Sequence, residues 1–198
     1  MASKRLGPVL GAIAAPALAL GWSLRHPERP RVSAVAVEPL SSFGPEFDEL
    51  WESARASYAM CVRRDAAYLT WKYARCPHRE YALHAARREG RLAGFAVSRH
   101  QDYRGLRLGW IVDVFADADD HDAKDALLGA VLGAFRRSGV ARAQAFAMNA
   151  PLKADLRRRG FREAGSPMQF CVRTRVSDAP IGDRGRWHVV FGDSDMDR

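Results

Sequence analysis

The run from Tyr81 to Ala116 restricts the possible folds more than any other part of the chain. In "YALHAARREGRLAGFAVSRH" (81–100), two strand-like runs flank Glu89-Gly90, the signature of a hairpin. "LRLGWIVDVFA" (106–116) follows at once and is more apolar, as a strand at the centre of a sheet should be. "DADDHDAKDALLGAV" then opens a helix that runs to about Arg137, with a turn at Gly139 and a further strand in "VARAQAFAM" (140–148). Hairpins joined to β-α-β units imply a mixed sheet with helices on its faces, an α/β fold.

The flanking segments extend this order. "RVSAVAV" (31–37) has the length and alternation of a strand. In "SSFGPEFDELWESARASYAM" (41–60), Phe43, Phe47, Leu50, Trp51, Ala54 and Tyr58 recur at spacings of three and four, which predicts an amphipathic helix. "RDAAYLTWKYA" (64–74) predicts a second helix, ended by Pro77. Downstream come a short helix over "APLKADLRRRG" (150–160) and strands over "MQFCVRTRV" (168–176) and "RWHVVFG" (186–192). The expected order is β-α-α-β-β-β-α-β-α-β-β across residues 31–192, with an extension at 1–30 and an acidic tail at 193–198. There is no internal repeat.

Composition removes several function classes. The net charge of +8 suggests nucleic acid until it is located. Residues 1–31 hold five basic side chains against Glu28, so 26 basic and 22 acidic residues are left for the rest of the chain. The tightest basic run, Arg157 to Arg159, has no aromatic stacking platform beside it, which argues against nucleic-acid binding. Cys61, Cys76 and Cys171 are odd in number, widely spaced and without a CxxC pair, so neither a disulfide framework nor a structural zinc is indicated. Residues 6–24 carry no charge and follow two basic residues, a pattern shared by signal peptides and by connectors. Pro8 and Pro16 argue against a plain membrane helix there. The expected location is cytoplasmic, with export through this segment as the alternative.

The loop after the strand at 106–116 is the chemically unusual part. Strand-to-helix loops often bind phosphate, because a helix N-terminus offers free N–H groups and a positive dipole end. Here that loop holds Asp117, Asp119, Asp120 and Asp122. Read as an EF-hand from Asp117, it has Asp122 where Gly is needed and Leu128 where Glu is needed, so it fails. His121 between Asp120 and Asp122 is too small a set to assign a metal. Acidic residues at a helix N-terminus, favoured by the dipole, are the simplest account.

One local pattern narrows the fold further. In "MNAPLKADLRRRGF" (148–161), Asn149, Gly160 and Phe161 match a motif of the GNAT acyltransferase superfamily, and the element order also resembles that family. Leu152 stands where Ala is usual and Leu156 where a Tyr is usual. "YLTWKYARCPHREY" (68–81) and the terminal "GDSD" (192–195) resemble the C-terminal halves of two-lobed bacterial GNAT-like proteins linked to cell-surface polysaccharide pathways. On that resemblance, residues 1–30 correspond to an interlobe connector, and the expected partner is a second GNAT lobe or another copy of the chain.

The resemblance implies acyl transfer from acetyl-CoA or another acyl-CoA to an amine by direct attack. It places the cofactor at Val114, Phe115, Asp119, Asp120, Asp122, Lys124 and Asn149. The family's Arg or Gln is replaced by Asp119, two of its glycine-type positions by Asp120 and Asp122, and the last by Lys124. The usual general-acid Tyr is Leu156. Asp113, an acid inside an apolar strand, is the candidate general base if burial raises its pKa; a surface residue on the open face and a buried acid paired with Arg are the competing readings. A non-catalytic lobe serving as scaffold or partner surface is the alternative function, and an exported or tethered protein a third.

Overall fold

The computed structural model describes residues 34–164, Arg173, Arg175 and residues 182–194. The expected strand at 168–176, Cys171, the N-terminal extension and residues 195–198 lie outside the described residues, Arg173 and Arg175 aside. The main sheet has five strands in the order β1-β3-β4-β5-β6. They are β1 (Val35–Leu40), β3 (Ala82–Arg88), β4 (Arg91–Tyr103), β5 (Leu106–Ala116) and β6 (Arg142–Ala145). The first four pair antiparallel and β6 runs parallel to β5. A two-residue parallel ladder joins β2 (Met60–Cys61) to β7 (Trp187–His188).

Both hairpin turns have the conformation their sequences suit. Glu89 and Gly90 have φ of 52° and 80°, and Arg104 and Gly105 have 51° and 80°. Two successive left-handed residues give the turn whose twist matches the flanking strands. The crossover helix α3 (His121–Arg137) starts where Asp120 accepts the Ala123 N–H at 3.0 Å, and it stops at Gly139, with φ 69°.

One helix ends earlier than its apolar spacing predicts, and the next changes type within its expected bounds. The segment 41–60 yields α1 (Glu46–Ala54), followed by a tight turn over Arg55–Ser57 that sends Tyr58 out in extended backbone. Residues 64–74 yield α2 (Ala66–Leu69), capped by Asp65, and then a π-helical turn over Thr70–Ala74. The short helix α4 (Ala150–Arg158) starts with Asn149 as its cap. The final "RWHVVFG" strand shrinks to Trp187–His188 and one bridge from Val190 to Ala147.

The sheet has a core on each face. α3 and α4 cover one with Leu127, Leu128, Val131, Phe135, Leu152 and Leu156, against Ala96, Ile111 and Val114. α1 and α2 cover the other with Phe47, Leu50, Leu69 and Tyr73, against Phe95, Val97, Val112 and Phe115. The β4–β5 register shifts between Val97 and Ser98, so Val97 pairs with Asp113 and Ser98 with Ile111. Val112 is therefore the extra residue of a β-bulge, and Val112 and Asp113 both face α1 and α2. β6 follows β5 from Leu108 to Ile111 and stops where the bulge begins. Beyond that point the two strands part.

Candidate functional site

The parting of β5 and β6 is lined by buried charge. Asp113 is 1% exposed. Its carboxylate accepts from Arg64 Nε at 3.1 and 3.3 Å and from the Tyr73 hydroxyl at 3.1 Å. The π-helical turn carries Tyr73 inward, and Asp65, next to Arg64 in the chain, caps α2 by accepting the Tyr68 N–H at 2.8 Å. Arg64 is fully covered and uses its remaining donors on Val62 O at 2.8 Å and Asp193 Oδ2 at 2.7 Å. One guanidinium thus bridges two carboxylates, one from the sheet and one from the C-terminal segment.

The electrostatics follow from that bridge. Burial alone would raise the Asp113 pKa, but attraction to Arg64, with help from His188, brings it down to about 2. Burial would lower the Arg64 pKa, and the Asp113 and Asp193 carboxylates reverse this and raise it. The raised pKa expected of Asp113 is thus corrected: it is a buried ion-pair partner, and a carboxylate held this low takes a proton poorly near neutrality. Desolvation pushes the Tyr73 and Tyr58 phenols up, so both stay protonated hydroxyls. Tyr58 donates to Ala116 O at 2.7 Å.

His188 completes the cluster, and its tautomer is fixed by a helix cap. Asn149 Oδ1 accepts the Leu152 N–H at 2.8 Å, which leaves the Asn149 amide NH₂ facing His188 Nδ1 at 3.2 Å. Nδ1 must therefore accept, and the ring proton sits on Nε2, which faces Asp113 Oδ1 at 3.5 Å. Burial, followed by the Arg64 charge, lowers the His188 pKa and keeps the ring neutral. Asn149 and Asp113 are in this way brought to opposite sides of one imidazole.

The aspartate loop is arranged differently. Asp120 forms a bidentate pair with Arg88 of β3, with both contacts at 2.8 Å, while Asp119 and Asp122 are exposed. The loop's amides are bonded within the protein. Ala118 N–H donates to Ser57 Oγ at 2.9 Å and Asp119 N–H to Asp117 Oδ1 at 2.9 Å. Asp120 and His121 N–H donate to the carbonyls of Asp117 and Asp119 at 3.1 and 2.8 Å. Ala123 N–H goes to Asp120 Oδ1 and Lys124 N–H to Asp120 O at 3.3 Å. Lys124 itself turns under the helix, where its ammonium donates to Ala118 O and lies 3.1 Å from the wholly buried Asp155. Val114 and Phe115 are core side chains on opposite faces, so only their backbone could meet a ligand.

Among the described residues, the space between the parted strands is nearly full. A cavity of about 10 Å³ remains, lined by Ile111, Val114, Ala145, Phe146, Leu156 and Val190, among others. That is about the room one water needs. Val190 reaches it because Val189 O accepts the Met148 N–H at 3.1 Å and Val190 bridges Ala147, which lays the C-terminal segment into the gap.

No protein-family model and no curated protein matches this sequence. Among solved structures, the chain is similar to an acetyltransferase from Trypanosoma brucei, with 17% identity and a TM-score of 0.50 over 70% of this chain and 99% of that one. It is similar to an integron cassette protein from the mobile metagenome of V. cholerae, with 12% identity and a TM-score of 0.50 over 73% and 94%. A ribosomal-protein-alanine N-acetyltransferase from Brucella melitensis biovar Abortus matches with 19% identity and a TM-score of 0.48 over 71% and 99%. The chain has the GNAT acetyltransferase fold. At 17% and 12% identity the likeness is one of fold. The GNAT-like order expected from the sequence is observed from β1 through α4, with α3 and the parting of β5 and β6 framing the region described above. Among the described residues there is no group of three or more metal-ligating side chains, and no helix is long and apolar enough to cross a membrane.

Sequence reasoning misses Arg64, Tyr73, His188 and Asp193. An Arg is exposed by default, so nothing marks Arg64 as a buried cation. The terminal "GDSD" is a usable signal, but Asp193, assigned from the sequence to an acidic tail, is buried, with its side chain 4% exposed in its pair with Arg64.

Proposed function

We propose that this chain is a GNAT-fold lobe that has lost the usual grip on acyl-CoA and acts as a scaffold or partner surface. The observation that carries the reading is the state of the β5–α3 loop. The amides of residues 118–121, 123 and 124, whose counterparts are expected to face a pyrophosphate, donate to the protein's own oxygens. Asp120, already neutralised by Arg88, adds little repulsion, so the loss of donors weighs more than the excess charge. Val190 in the gap, Leu156 in place of an acidic hydroxyl and the low pKa of Asp113 point the same way. Acyl-CoA does not fit these residues as they stand, and no chemical step is assigned to it. The sequence resemblance to two-lobed proteins of polysaccharide pathways supports a second GNAT lobe, or another copy of the chain, as the partner.

Acyl transfer to an amine, on a sugar or envelope precursor, is the second reading. It is favoured by the separation of β5 from β6 beyond Ile111, which leaves a gap between strands that Val190 would have to vacate. Thermal unfolding with and without millimolar acetyl-CoA tests both. The scaffold reading expects no change in midpoint. A ligand at a hundred times its Kd adds about 2.7 kcal/mol, or roughly 5–11 °C for a chain of this size, and a shift on that scale would overturn it.

A further inference from the structure

We infer that residues 189–193 form a flap bolted over the gap between β5 and β6, and that Asp193 is the bolt. Such a flap closes the gap in the same way whichever function is correct. On the α1–α2 side, Asp193 Oδ2 takes both Arg64 Nη2 at 2.7 Å and the Val190 N–H at 3.0 Å. On the α3–α4 side, Val190 packs into the core with Leu152 and Leu156. The flap therefore passes through the plane of the sheet and is fastened on each face by a different force.

Charge arithmetic picks Asp193 as the detachable part. Arg64, Asp113 and Asp193 together carry one more negative than positive charge, and His188 between them is neutral. Lifting the flap removes Asp193 and leaves Arg64 with Asp113, a matched buried pair that still has Val62 O and the Tyr73 hydroxyl. No orphaned charge stays behind, which is what usually makes breaking a buried ion pair prohibitive. Withdrawal of Arg64 or Asp113 would strand one. Trp187 and His188, both fully covered, stay as the anchor from which residues 189–193 swing. Gly192 fits the arrangement, since a side chain there would collide with the Tyr73 hydroxyl and approach Val112 O at 3.3 Å.

Amide hydrogen exchange without any ligand tests this, so its outcome is independent of acetyl-CoA binding. In the native chain the Met148 and Val190 amides are bonded to Val189 O and Asp193 Oδ2. They should exchange through a sub-global opening, faster than the Ala96 and Val97 amides in the middle of β4. In Asp193→Asn their exchange should rise by about tenfold or more while β4 and α3 are unchanged. If Asp193→Asn instead raises exchange equally throughout, or leaves Met148 and Val190 as they were, there is no flap. Should that variant fail to fold, equal protection of the Met148 and Ala96 amides in the native chain would overturn the flap as well.

Discussion

Replacing Arg64 with Met tests the buried charge network most directly. Arg64 makes four contacts shorter than 3.4 Å, two to Asp113, one to Val62 O and one to Asp193, and it is fully covered. Methionine keeps much of the side chain's length and removes its charge, leaving two buried carboxylates with no cation between them. Breaking a buried pair from one side costs about 3–5 kcal/mol, so the variant should lose that much stability. For a chain of this size the loss corresponds to a fall in Tm of roughly 6–20 °C. The assay is urea unfolding followed by tryptophan fluorescence, with Trp187 beside the network as a reporter. A second variant shows whether charge is the cause. Asp113→Asn added to Arg64→Met neutralises one stranded carboxylate, so it should recover part of the loss although it makes no new salt bridge. A single variant within 1 kcal/mol of the native chain, or a double variant less stable than the single one, would refute the reasoning.

Three further outcomes follow from the packing. Gly192→Ala drives a methyl group against the Tyr73 hydroxyl and should cost about 1–3 kcal/mol, and the same substitution should cost less in a Tyr73→Phe background, where the clashing oxygen is gone; equal urea midpoints for Gly192→Ala and the native chain would contradict this. Lys124→Met leaves the buried Asp155 with the half-exposed Arg158 as its cation, and should lower the urea midpoint by the equivalent of about 3 kcal/mol. His188 has a folded pKa below its unfolded value of about 6.5, so the unfolded chain takes up the proton first and stability is lost as pH falls below that value. His84, also depressed by burial, acts in the same direction. His188→Gln should therefore flatten, without abolishing, the decline in urea midpoint between about pH 7.5 and 5, and an unchanged slope would show that His188 does not titrate there.

Where local chemistry sets the backbone, the sequence is a sufficient guide. Glu89-Gly90 announces its turn, the apolar run from Leu106 to Ala116 has the bounds of β5, and Gly139 marks the end of α3. Where the outcome depends on distant partners, it is not. Apolar spacing continues α1 to Met60, but the chain leaves the helix after Ala54 so that Tyr58 can reach Ala116 O. Lys124 reads as a loop cation, and its burial depends on Asp155, more than thirty positions away. Asp113 keeps an apolar strand's alternation on paper, and only the pairing with β4 reveals the bulge that decides its face.

That bulge has a consequence for insertions and deletions. Since Val112 and Asp113 share a face, Val112 could be deleted without moving any other β5 side chain to the opposite side. The alternation from Ile111 through Asp113 to Val114 and Phe115 would simply become regular. A deletion at almost any other interior position of β5 would reverse part of the strand and set apolar groups against polar ones. The strand therefore contains one residue that is dispensable for pattern and needed for shape. A chain lacking Val112 should keep both cores while its straightened β5 runs on beside β6, closing the space that now receives Val190.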